Sequence, residues 1–237
     1  MRYIRCIFSV LLLLFLLTNG GLEVFAINIG FSTEPLPEDD IDTFLENVNI
    51  SMLADEPEKK AIACFDVNEN GEIVIGSRDS DNKTVCVYTS DGDFQYGYSF
   101  ECSGSFGIEL DKNILYIYFV RNDVAIAVNP MGEVESIRKI QDTSENNSYW
   151  NNSVLLTRRK VGDNEYILTN NMSVLNVFAS TYSQLVTINK NGEESVIYDV
   201  GSTQFPNMVA IFIGAIVFIG LAVFVVIWQF IKLNRST

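Results

Sequence analysis

Residues 61–101 read AIACFDVNENGEIVIGSRDSDNKTVCVYTSDGDFQYGYSFE. Four short runs rich in β-branched and aromatic residues (61–67, 72–77, 83–89 and 94–100) are separated by breaks of Asn, Asp, Ser and Gly. Such runs are too short for helices, and their bounding residues are those that tight turns require, so the stretch predicts four antiparallel strands in up-and-down order.

The unit repeats along the chain. An apolar strand runs into a glycine turn at Gly92, at Gly132 and at Gly192. The hairpin DVNENGEIVI also has a counterpart in ELDKNILYIY and, more loosely, in VGDNEYIL. Three four-stranded units follow, over 61–102, 104–140 and 152–200. A repeat of about 40 residues is the unit of a β-propeller blade. On these hairpin turns and strands, residues 48–200 resemble the NHL-like kind of propeller repeat, and the chain is similar to exported single-pass membrane proteins of low-GC Gram-positive bacteria. The resemblance implies an all-β fold of antiparallel meanders, a partial propeller of three blades with open sheet edges. A β-sandwich with similar hairpins is the alternative.

Working outward, the two ends carry different signals. Arg2 and Arg5 precede an apolar run from Ile7 to Leu17, then Asn19, Gly20 and Gly21, then Val24-Phe25-Ala26. This is the order of a secretory signal peptide, with cleavage expected after Ala26 and domain bounds of 1–26; an uncleaved anchor is the other reading. Near the far end, Met208 to Ile231 holds no charged residue. As a helix it would be about 36 Å long, enough to cross a ~30 Å hydrocarbon layer. Trp228 lies near its inner boundary, and Lys232 and Arg235 follow in the tail 232–237. The positive-inside rule puts that tail in the cytoplasm and residues 27–207 outside. The expected partner of 208–231 is the lipid bilayer.

Residues 27–60 hold Pro35, Pro37 and the acidic run Glu38-Asp39-Asp40. They read as an acidic, linker-like segment with a short helix from Asp40 to Glu46 and an edge strand within Val48–Leu53.

Charge and composition remove several function classes. The chain has 30 acidic and 16 basic residues, and the part between the two apolar segments has 29 and 12. A nucleic-acid partner is not expected, because phosphates would be repelled. Histidine is absent, which removes the commonest general base, the Ser-His-Asp and Cys-His arrangements and most zinc sites. No cofactor and no catalytic residue is expected. A carboxylate-only hydrolase remains as a rival, without a pair of acids that the spacing singles out.

Three smaller features carry weaker signals. Asp66, Asn68 and Asn70 match the first half of a calcium loop, D-x-N-x-N-G, but Ser77 stands where its last ligand would be Glu. The same residues suit a hairpin turn. Cys64, Cys86 and Cys102 read as small apolar core residues, with Cys64 and Cys86 both opposite Ile75 and too far apart to bridge. Tyr149 and Trp150 stand in the otherwise polar loop Gln141–Ser153, either as binding anchors or tucked onto a neighbouring sheet. Asn-x-Ser/Thr triplets begin at Asn49, Asn82, Asn146, Asn151 and Asn171 and would matter only in a host that glycosylates.

The function these features predict is a membrane-anchored binding or scaffold domain held outside the cytoplasm. An accessory subunit using an open sheet edge to pair with a protein partner is the second expectation.

Overall fold

The computed structural model describes residues 30–79, 82–170 and 181–234. The expected signal segment, its cleavage residue Ala26, the triplet at Asn171 and the basic Arg235 lie outside the described residues.

The described residues form three antiparallel sheets. Sheet I is a meander of β3 (Ile62–Val67), β4 (Ile73–Asp79), β5 (Asn82–Tyr88) and β6 (Phe94–Glu101). Sheet II repeats the plan with β7 (Phe106–Asp111), β8 (Ile114–Phe119), β9 (Val124–Val128) and β10 (Val134–Ile140). Sheet III does so with β11 (Arg158–Val161), β12 (Asn164–Thr169), β13 (Gln184–Ile188) and β14 (Glu194–Asp199). The three expected four-stranded units are thus present, the third starting its first strand at Arg158. Among the described residues they close into neither a barrel nor a ring.

The segment before them holds a helix and an edge strand, as expected, and one strand more. Thr33–Pro35 forms β1, which adds a fifth strand beside β10, with Glu34 opposite Lys139. Helix α1 (Glu38–Val48) starts after Pro37 without a side-chain cap and buries Phe44 and Val48. Of the expected Val48–Leu53 strand, Ser51–Met52 (β2) pairs beside β6, and the Leu53 N–H donates to the Gly97 carbonyl of the same strand at 2.9 Å.

The sheets stack in the order III, I, II. One apolar layer joins Val74, Val85, Val87, Tyr98 and Phe100 of sheet I to Ile108, Leu115, Ile117, Val124 and Ile126 of sheet II. A second joins the opposite face of sheet I, through Phe65, Ile73, Ile75, Cys86 and Tyr88, to Tyr166, Leu168, Leu185 and Tyr198 of sheet III. Consecutive residues of a strand point to opposite faces, so the unbroken apolar runs of β4, β5, β8 and β9 reflect sheets buried on both sides. The outer face of sheet II, with Tyr116, Tyr118, Ala125 and Ala127, packs against Phe31, Tyr149, Trp150 and Val154.

Two expectations are corrected here. Gln141–Ser153 is not a loop: Ser144–Tyr149 forms helix α2, which runs into a wider π-helical turn, Trp150–Val154. Thr143 caps α2, its hydroxyl oxygen accepting the Asn146 N–H at 3.1 Å. Asn146 is buried, with its amide bonded to Ser32 and to the Gln141 carbonyl. Cys64 sits opposite Gly76, not Ile75, because the turn closed by the Asn68 N–H on the Glu72 carbonyl at 3.0 Å sets the β3–β4 register one residue from the one expected. Cys86 does face Ile75. This register sends Cys64 and Cys86 into different apolar layers, and all three described cysteines are buried and outside any disulfide.

After Val200 the chain enters helix α3 (Gly201–Asn234). Its described side chains include Ile211, Phe218 and Phe224, exposed by 71, 75 and 65%. Among the described residues no helix is long and apolar enough to cross a membrane. In sequence, Met208–Ile231 carries no charge.

Candidate functional site

The first strands of the three meanders converge, β3 packing beside β7 and beside β11. At this point the core is polar. Asp66 of β3 places Oδ1 2.9 Å from Nε of Arg159 on β11. Its Oδ2 accepts the backbone N–H of Leu110 on β7 at 2.8 Å. Arg159 also donates to the Phe65 carbonyl at 3.3 Å and to the Ser153 carbonyl at 2.8 Å. One carboxylate and one guanidinium therefore tie together all three sheets and the π-helical turn. A second knot lies beside it, where Glu109 of β7 accepts from the hydroxyls of Tyr118 and Tyr149, the latter at 2.6 Å.

Burial sets the chemistry of these groups. It pushes the Asp66 carboxyl up to about 6, against the opposing pull of Arg159 and the Leu110 N–H. It also raises Tyr118 and Tyr149 above the ordinary phenol value, with Glu109 adding to the effect. Both phenols stay protonated at neutral pH and remain donors to Glu109. The Cys64 thiol is likewise raised by burial, which leaves no thiolate for nucleophilic chemistry. The oxygens of Asp66 and Glu109 are all engaged in contacts within the protein. The arrangement is suited to locking sheets together, since stripping one partner from a buried ion pair costs about 3–5 kcal/mol.

The residues picked out from the sequence fall around this knot. Tyr149 and Trp150 are half-buried and turned onto sheet II. Trp150 packs against Phe31, with ring centres 4.8 Å apart, and against Tyr118 at 5.7 Å. A side chain at Gly107 would come within 2.4 Å of Val154 and 2.8 Å of the Trp150 ring, so glycine is what lets this turn approach the sheet. Tyr149 also borders an open hollow of about 480 Å³, lined with Gly30, Ser144, Ser148, Asn152 and Ser153.

Asp66 and Asn68 spend their side-chain oxygens on separate partners within the protein. Asp66 serves Arg159 and Leu110. The Asn68 side-chain oxygen accepts the N–H groups of Asn70 and Glu72, while its amide donates to Glu72 at 2.7 Å and to the Lys112 carbonyl. Among the described residues no group of three or more His, Cys, Asp or Glu is placed to hold a metal ion.

The Asn68 turn is a recurring device. Asn129 and Asn189 repeat it, each accepting from the second and fourth following N–H and donating to a glutamate four residues on. Gly71, Gly132 and Gly192 sit at φ of 81°, 86° and 81°, a conformation glycine adopts without strain. Thr89 and Gly92 form a variant with a hydroxyl in place of the amide. The sequence showed the glycine turns at Gly92, Gly132 and Gly192 as one recurring unit, whereas the N-x-x-G-E pattern that joins Asn68 to Asn129 and Asn189 emerged only with the fold. Arg159 and Glu109 carried no such signal.

With this geometry in hand, comparison adds no relative: no family model matches the chain, and no curated protein matches it.

Proposed function

We propose that the chain is a membrane-tethered binding or scaffold domain, held outside the cytoplasm by residues 208–231. The observation that carries this reading is the direct passage from sheet III into helix α3. On that helix the described positions 210–225 are all exposed, and Met208–Ile231 has no charge. A helix that is apolar all round needs either a protein core or lipid around it. The basic residues that follow favour a cytoplasmic tail.

In this reading the three meanders are propeller-like blades. Support comes from their shared strand order and from the convergence of β3 with β7 and β11. Binding is preferred to catalysis because histidine is absent and because Asp66 and Glu109 are committed to structural contacts. A specific observation favours a second reading, the accessory subunit. Among the described residues β14 is the last strand of sheet III, with no strand paired on its outer side, although the Gly92 turn of sheet I abuts it at Ile197.

The test is protease accessibility in intact cells and in inverted vesicles, followed with an antibody to the β domain. Digestion in intact cells and protection in inverted vesicles are expected. The reverse pattern, or release of the full chain by alkaline carbonate, would sink the tethered-domain reading.

A further inference from the structure

Among the described residues two of the three sheets carry an added strand on their outer edge, and one of these pairings is matched in charge. The β10 edge is basic, with Arg138 and Lys139, and the strand laid on it is matched to those bases. Glu34 lies 3.7 Å from Lys139 Nζ, and Thr33 Oγ1 accepts from Arg138 Nε at 3.3 Å. The β6 edge is uncharged at the point of contact and takes Ser51 and Met52 opposite Ser99 and Tyr98.

The β14 edge differs in both respects. It begins Glu194-Ser195-Val196, all three exposed, with Val196 exposed by 54%. The Asn189 N–H donates to the Glu193 carbonyl at 3.1 Å, which makes that pair a hydrogen-bonded one. Bonded pairs alternate along an antiparallel ladder. Ser195 therefore spends its N–H and C=O on β13, while Glu194 and Val196 turn theirs outward. Val196 also ends an apolar row across the outer face of the sheet, Ile167–Val186–Val196 in register.

We propose that β14 is a docking edge for an extended segment of another protein, one that carries Lys or Arg opposite Glu194 and a β-branched residue opposite Val196. This rests on the accessory-subunit reading and names its partner chemistry. Edge addition supplies main-chain hydrogen bonds, and the side chains supply the choice of partner. A second copy of this chain is a poor occupant. The β14 of a second copy holds two acids and no base, so no register of two such strands sets a Lys or Arg opposite Glu194. The rule that brings Glu34 to a basic edge brings a base to this acidic one.

The experiment places the photoreactive residue benzoylphenylalanine at position 196 of the full-length protein in its own membranes, with position 131, an exposed turn, as control. Light-induced adducts are sequenced by mass spectrometry. The expected adduct at 196 is to one segment of another protein, with a base within two residues of a β-branched one, and it is absent at 131. Glu194→Lys and Glu194→Pro should each lower its yield at least tenfold. The first reverses the charge, and the second removes an outward N–H without touching the ladder to β13. An unchanged melting temperature shows that both variants fold. Adducts to a second copy, to lipid only, equally at 131, or insensitive to Glu194→Lys overturn the proposal. The protease assay is read separately. An outside domain without the adduct ends this inference alone, whereas an inside domain ends the tethered reading whatever the adduct.

Discussion

Sheets I and III are drawn to one plan, yet their strands differ in composition. In sheet I, Ile73, Val74 and Ile75 enter two apolar layers alternately, and Val85 to Tyr88 do the same. In sheet III, Tyr166, Leu168, Leu185 and Tyr198 fill one layer, while Ile167, Val186 and Val196 lie on the other, less covered face. The connection of strands is therefore independent of the number of faces covered. What a strand's residues report is its neighbours above and below.

The largest effect should separate these two faces. Phe65→Ala, at a site with no exposure between sheets I and III, is expected to cost about 3–5 kcal/mol. Ile167→Ala should cost less than about 1 kcal/mol. Chemical unfolding of the detergent-solubilised chain measures both, and equal losses would mean that the outer face of sheet III is covered after all.

The next prediction concerns the knot that joins the sheets. Asp66 titrates near 6 in the folded protein against an ordinary 3.8. An acid raised by folding is most stabilising while protonated in both states. Its contribution is then lost as pH rises from about 4 through 6. The loss should approach ~3 kcal/mol for two pH units of difference. Comparing the protein with Asp66→Asn across this range isolates it, with the variant gaining relative stability as pH rises. The opposite slope would show that the attraction of Arg159 outweighs burial.

A smaller contrast lies in the turns. Asn68 is buried and also holds the Lys112 carbonyl of sheet II, whereas Asn189 serves only its own hairpin. Asn68→Ala should cost about 2 kcal/mol and Asn189→Ala about 1 kcal/mol, since unsatisfied buried groups cost more than exposed ones. Equal melting-temperature shifts would break the distinction.

The smallest effect tests the covered edge against the open one. Glu34→Lys sets a base opposite Lys139 and should cost roughly 0.2–1 kcal/mol. Glu194→Lys, with no strand opposite it among the described residues, should stay within about 0.5 kcal/mol in the isolated protein.

The strands and hairpins were legible because each is a local event. Alternation, β-branching and a glycine at positive φ are written within a dozen residues. The stacking order was not legible, because both faces of β4 and β8 are apolar and either could have met any other sheet. Arg158-Arg159-Lys160 reads as a solvated run, and only the fold brings Arg159 to Asp66 over a separation of 93 positions. Gln141–Ser153 looked like a loop because its helix-forming contacts are remote. Asn146 is held by Ser32, and Trp150 by Phe31. In the N-terminal segment the short helix and the edge strand were legible, but Thr33–Pro35 was not, since these three residues become a strand only beside β10.

That added strand has a consequence for the order of events during synthesis. The residues around Ser32 are made early, but their place is defined by Asn146, 114 positions later. At roughly 5–20 residues per second, the leading segment must wait on the order of ten seconds before its seat exists. The first part of the domain to emerge is among the last to be fastened, and until then the basic edge of β10 stays open to any other acidic strand that arrives first.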